Sequence, residues 1–325
     1  MFAYIIRRIA YAIPILIGVN ILTFYLFFVV NSPDDMARLH LGMKHVTPEA
    51  IEKWKASHGY DKPLLLNKQA EGVEQLTDTI FFEKSVRLFA FDFGYSDDGR
   101  DISYDISQRM LPSLAIAIPA LIIGLMVNIT FAMLMAFFRG TYVDVSGVIL
   151  CVVLMSISGM FYIIGGQYLL AKVFRLMPIS GFAAGIDTIK FIILPVLIGV
   201  VSGIGSGSRW YRTFFLEEAG KDYIRTARAK GLSESLVLFR HILRNALIPI
   251  VTGVVVILPL LFMGSLLTES FFSIPGLGSY TIDAINKQDF AVVRAMVFLG
   301  TVLYIVGLIL VDITYTIVDP RVRLS

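Results

Sequence analysis

The sequence predicts an all-α polytopic membrane protein with six transmembrane helices, and three observations carry that expectation. Apolar residues make up 56% of the 325 positions while only 16% are charged, and the mean hydropathy is +0.75, more oil than a soluble core can hold. Six apolar runs, near 9–30, 112–138, 145–171, 189–207, 247–272 and 294–318, approach the ~20 residues that a bilayer crossing needs. Their apolar character is continuous, where a transmembrane barrel would show short alternating strands.

The first run follows Arg7 and Arg8 and is too long for a signal peptide, with no small-residue cleavage site before Asn31-Ser32-Pro33, so residues 1–30 read as a retained N-terminal transmembrane helix. Residues 31–111 read as a small polar domain. Within it "TPEAIEKWKASHG" predicts a short helix capped by Thr47, with Pro48 in its first turn and Gly59 closing it. "FAFDFGYSDDGRD" is aromatic and turn-rich and suits a packed surface loop. His40, His45 and His58 match no standard ligand spacing, so no metal site is predicted.

Residues 112–318 form the remaining five-helix core. Pro14, Pro119, Pro195 and Pro259 lie in or near helices and are expected to kink them. Gly199 and Gly203 stand four apart, with Gly205 and Gly207 beyond; small residues at this spacing let helices approach closely, as fixed packing or as a sliding, gating contact. Asn20, Asn128 and Gln167 read as interhelical hydrogen-bonding groups. Asp312 and Glu269 are the carboxylates expected in or at the edge of the membrane, where a buried charge is paired or functional. No series of titratable groups runs through the helices, as a proton-driven pump would need. The single cysteine, Cys151, lies inside the third run and reads as a packing residue; no disulfide is possible within the chain.

Six crossings put both termini on one side. Arg7, Arg8, Arg139, Arg321 and Arg323 fall on that side, as do the eight Lys and Arg of segment 208–246, so the positive-inside rule predicts an N-in, C-in topology. The 31–111 segment is then extracytoplasmic and residues 319–325 form a cytoplasmic tail.

The basic segment has internal structure. "FFLEEAGKDYIRTARAK" has helix formers throughout and reaches Gly231, which is suited to end a helix in the left-handed conformation. Ser233 is a potential N-cap, and Leu232 with Val237 would staple the next helix. Helix, sharp turn, helix is the expectation. A topology signal needs only charge, and an anionic-lipid patch needs charge on one face. Neither needs a glycine-broken helix pair, and that favours docking of a cytoplasmic protein.

The stretch "DYIRTARAKGLSESLVLFRHILRNALIPIVT" resembles the signature loop of ATP-binding-cassette importer permeases, in the form found in dipeptide and oligopeptide permeases. Aligned on Gly231, the family's Glu-Ala-Ala positions fall on Arg225, Thr226 and Ala227, and only the alanine is kept. The likeness continues in "YIIRRIAYAIPILIGVNILTF", "GYDKPL", "FDFGYS", "RMLPSLAIA", "FSIPGLGSYTIDAINKQDF" and "VDITYTIVDPRVRL", in family order. It departs at "NSPDDMARLHLG", where the subgroup has Pro-Gly-Asp-Pro, and in a longer stretch at 64–90.

The resemblance is to the B-type subunit and implies a type I importer permease fold forming half of a translocation path in a bacterial inner membrane. It implies a C-type permease partner, two ATPase subunits, an extracytoplasmic peptide-binding protein and surrounding lipid, with no nucleic acid. The chain lacks Gly-x-x-x-x-Gly-Lys-Ser/Thr, so it is not expected to hold ATP; ATP and magnesium would sit on the ATPase partners. No catalytic residue and no cofactor of its own are expected. The resemblance further implies that a short helix docks in an ATPase groove, with Arg225, Arg228 and Lys230 in contact, Ala227 and Ala229 allowing close approach, Gly231 setting the bend, and Thr226 and Leu232 completing it. Trp54 and Tyr95 are candidate contacts for the binding protein. A nickel or metal-chelate importer permease, a secondary transporter or channel, and an assembly protein are the alternatives.

Overall fold

The computed structural model describes residues 2–42, 46–183 and 185–318. His45 and the tail residues Arg321 and Arg323 lie outside the described residues. Among those described, five helices are long and apolar enough to span a membrane, or six if the bent pair Tyr142–Ser156 and Gly159–Val173 counts as one span. The chain divides into two compact units, one of residues 2–109 and 280–309, the other of 110–279 and 310–318.

In the first unit α1 (Phe2–Phe24) carries Pro14 and continues as a π-helical turn to Val30. Helix α2 (Pro33–Leu41) starts in a reciprocal capping box between Ser32 and Asp35. Helix α3 (Pro48–His58) begins and ends as the sequence predicts: the Thr47 hydroxyl accepts from the Ala50 N–H at 3.3 Å, and Gly59 closes it at φ 67°. The short α4 (Glu74–Thr77) and α5 (Ile80–Lys84) follow. Phe24, Phe28, Met36, Ile51, Trp54 and Tyr60 form the apolar core of this unit. Arg294 also belongs here, buried with its guanidinium 4.9 Å from the Phe28 ring centre and donating to the Lys84 carbonyl at 3.0 Å.

The second unit takes α6 (Ile102–Phe137) from Met110 onward, then α7 (Tyr142–Ser156) and α8 (Gly159–Gly166), which continues as a π-helical turn to Val173. The third apolar run is therefore not one straight helix: its halves meet at 88°. Ile157 and Ser158 are extended at the break, and the Tyr162 hydroxyl donates to the Leu154 carbonyl at 2.8 Å, beside the Ile157 N–H at 3.4 Å. Helix α9 (Thr188–Ala219) is followed by α10 (Asp222–Ala229), the single turn α11 (Glu234–Leu236), a π-helical turn, and α12 (Leu243–Leu260). The fifth run also departs from expectation. It stops at Met263, and Gly264 at φ 68° turns the chain into α13 (Leu266–Phe272). Helices α14 (Leu277–Lys287) and α15 (Phe290–Val318) complete the chain.

Polar ties link the elements of the second unit. Asp144 on α7 receives both Nε and a terminal nitrogen of Arg212 on α9 at 2.8 Å, and also the Gly140 N–H at 3.0 Å. The Ser208 hydroxyl on α9 donates to Asn128 on α6 at 2.9 Å, the interhelical role expected of that asparagine. Gln167 donates to the Phe271 carbonyl at 3.0 Å, whereas Asn20 serves the Ser85 carbonyl in its own unit. Glu269 is buried with its carboxyl on backbone N–H groups, Ser265 at 3.2 Å and Ser279 at 3.0 Å, so it fixes the turn before α14.

Candidate functional site: the elbow between α9 and α12

Helix α9 does not run on to Gly231. It ends at Ala219, where the Gly220 and Lys221 N–H groups bond back to Glu217 and Glu218 at 3.1 Å, and extended Lys221 starts α10. The expected single helix is thus two, because the Gly220 turn closes α9.

The end of α10 is a complete Schellman motif. The Gly231 N–H bonds to the Arg228 carbonyl at 2.9 Å and the Leu232 N–H to the Ala227 carbonyl at 3.4 Å, with Gly231 at φ 78°. Ser233 takes the extended N-cap conformation, though its side chain makes no capping bond. Leu232 and Val237 both pack into the same core, consistent with the predicted staple.

Two faces of α10 have different neighbours. Ile224 and Ala227 are buried with Phe215, Val237, Leu238 and Ile242. Arg225, Thr226, Arg228, Ala229 and Lys230 are exposed. This reassigns Ala227: at 6% exposure its small side chain lets α10 lie against the chain's own core, so it is not available to an incoming partner. Arg228 is also partly engaged, donating to Glu234 at 2.8 and 3.1 Å. Arg225 reaches Asp222 only at 3.4 Å, and both side chains are solvent-exposed.

Tyr223 is the residue that sequence reasoning missed. Its hydroxyl donates to Glu218 on α9 at 2.8 Å and accepts from Asn245 on α12 at 2.7 Å, so one side chain ties α10 to both flanking long helices. No local pattern signals this, because the three residues are brought together only when the elbow folds.

The remaining predicted residues fall differently. Gly199 borders a cavity of about 430 Å³ with Ser113, Ala120 and Ser202, and a Cβ placed on it would meet only Ala120 at 3.8 Å. Nothing lies within 4 Å of such an atom on Gly203. The close helix approach is one turn further on: a Cβ on Gly205 would sit 2.6 Å from the Cys151 carbonyl, and one on Gly207 within 2.8 Å of the Asn128 amide carbon. Trp54 is also corrected. It is 8% exposed and stacks on His58 at 4.2 Å within its domain core, so it cannot meet a binding protein, whereas Tyr95 is 69% exposed.

Family models match both parts of this chain. Residues 110–324 match the binding-protein-dependent transport system inner membrane component, and residues 1–118 its N-terminal membrane component. The chain belongs to this family of inner-membrane transport components. The permease is 34% identical to a putative peptide transport system permease protein of Brucella abortus, over 99% of both chains. It is 31% identical to the oligopeptide transport system permease protein AppB of Bacillus subtilis, covering 99% of this chain and 100% of the other. It is also 31% identical to the dipeptide transport system permease protein DppB of Escherichia coli, over 99% of each. The protein is therefore a multi-pass inner-membrane permease subunit and not itself an ATPase. Permeases of this family act within ATP-binding-cassette complexes with ATPases and a binding protein.

Proposed function

We propose that this permease is the B-type subunit of an ATP-driven importer of dipeptides and oligopeptides, and that the 219–246 elbow receives an ATPase subunit on its cytoplasmic side. The observation that carries the docking reading is the exposed set Arg225, Thr226, Ala229 and Lys230 on a helix tied by Tyr223 to α9 and α12. A push on that face is transmitted to both membrane helices without first bending the elbow. ATP and magnesium sit on the partners. Closure of the ATPase pair favours one arrangement of the helices and hydrolysis resets it, so transport follows from different affinities for two states. The C-type permease supplies the other half of the path.

The basic elbow, with Arg7, Arg8 and Arg139, supports N-in, C-in insertion. Segment 31–111 then faces outward, with Tyr95 on a surface open to the binding protein. The peptide reading rests on the full-length likeness to permeases whose names carry peptide substrates. Reconstitution of the complete importer in vesicles tests it: peptide should stimulate ATP hydrolysis and accumulate inside. Nickel-chelate uptake without peptide uptake would overturn the substrate, and uptake by the permease without ATPases would overturn the energy source.

A further inference from the structure

We propose that His40, His58 and Asp97 form a clamp that tightens in mild acid and holds the loop 95–101 of the first unit. This loop is closed by a bridge between Tyr95 and Asp101 and carries the exposed Tyr95 ring. Asp97 lies at its tip, its side chain only 14% exposed, with His58 Nε2 at 3.7 Å from one oxygen and His40 Nδ1 at 4.0 Å from the other.

The His58 ring has its tautomer fixed by its neighbours. Nδ1 lies 2.8 Å from the Trp54 carbonyl, which can only accept, and 3.0 Å from the Ser57 hydroxyl, whose own proton goes to that carbonyl at 2.8 Å, so Nδ1 carries the proton. In the neutral ring Nε2 is then a bare lone pair facing the Asp97 carboxylate, and the contact is repulsive. A second proton places positive charge there and reverses the sign. Trp54, stacked on the ring at 4.2 Å, keeps water from one face and holds the ring in line.

The surroundings carry more negative charge than positive while the histidines are neutral. Asp98, Asp289, Tyr60 and Arg294 all interact with Asp97 through their charges or dipoles, and Lys287 pairs with Asp98 at 3.5 Å. Burial first, and then Asp289, push the Asp97 pKa up, while the two histidines pull it back. Adding a proton to the His58 ring therefore removes repulsion and adds attraction, and a second proton on His40 adds attraction. Asp97 itself sets the acid limit, since the attraction ends once its carboxyl is protonated.

The clamp reaches the last helix. The Asp97 N–H donates to Asp289 at 3.0 Å, and the other Asp289 oxygen accepts from Val292 N–H at 3.1 Å in the first turn of α15. A tightened loop thus stiffens the start of that helix and holds Tyr95 in one place.

Amide exchange of residues 95–101 in the full chain in lipid nanodiscs tests this, with rates corrected for intrinsic pH dependence. Because histidine charge changes between about pH 5 and 8, protection should rise about five-fold from about pH 7.5 to about pH 5.5. The H40Q/H58Q double variant and, separately, D97N should lose that rise. A flat wild-type profile, or a rise that survives in either variant, overturns the clamp.

Discussion

The Arg228 guanidinium spans the Gly231 turn to grip Glu234, with Nε at 2.8 Å from one carboxylate oxygen and a terminal nitrogen at 3.1 Å from the other. The pair joins α10 to α11 across the left-handed glycine, so it sets the elbow angle as well as contributing charge. Both side chains are partly exposed, and an ion pair of this kind is worth ~0.2–1 kcal/mol. Its importance is in geometry. E234K should leave the permease inserted and lower peptide-stimulated ATP hydrolysis about three-fold, and the exchange R228E/E234R should restore at least half of it. If the exchange restores nothing, Arg228 acts by touching the ATPase directly.

Gly231 and Ala227 separate strain in the elbow from loss of its core. A side chain at Gly231, whose φ is 78°, costs ~1–2 kcal/mol, with open space around it. Ala227→Glu instead places a carboxylate among Phe215, Ile224 and Val237. Gly231→Asp is therefore expected to assemble and to transport poorly, while Ala227→Glu lowers thermal stability further and cuts the yield of assembled complex. Size-exclusion chromatography and melting of the purified complexes distinguish the two; equal melting temperatures would contradict the buried placement of Ala227.

Tyr223→Phe removes both the donor to Glu218 and the acceptor for Asn245 while keeping the ring. Each lost hydrogen bond contributes ~1 kcal/mol, too little to unfold the permease. The expected defect is uncoupling: ATP hydrolysis by the assembled importer stays within about two-fold of wild type while peptide uptake falls about ten-fold. Matching losses in both would show that Tyr223 serves docking alone.

The glycines of α9 should differ sharply in tolerance. Gly203→Ala meets nothing within 4 Å and should leave the melting temperature unchanged. Gly205→Ala drives a methyl against the Cys151 carbonyl and Met155 and should cost ~1–3 kcal/mol. The reverse order would refute the packing between α7 and α9.

Much of this was legible in the sequence, for physical reasons that also mark its limits. Thr47, Pro48 and Gly59 bracket α3 because caps act within a turn, and Gly231 ends α10 for the same reason. The apolar runs give the spans, since bilayer thickness dictates length, but they hide the 88° bend at Ile157–Ser158, where no proline marks the break. Trp54 read as a candidate contact for the binding protein because burial depends on the aromatic partners His58 and Tyr60, which only the fold assembles. Arg294 and Tyr223 were silent for the same reason: their partners lie far along the chain or across a turn that must form first.

The central claim is that the exposed face of α10 is held by an ATPase subunit. Photo-cross-linking groups placed at Arg225 and at Lys230, in the complete importer in native membranes, test it most directly. Adducts with an ATPase subunit at both positions, with none from a group placed at buried Ile224, are the predicted result. Adducts with lipid alone, or none at all in an importer that still transports, would contradict it.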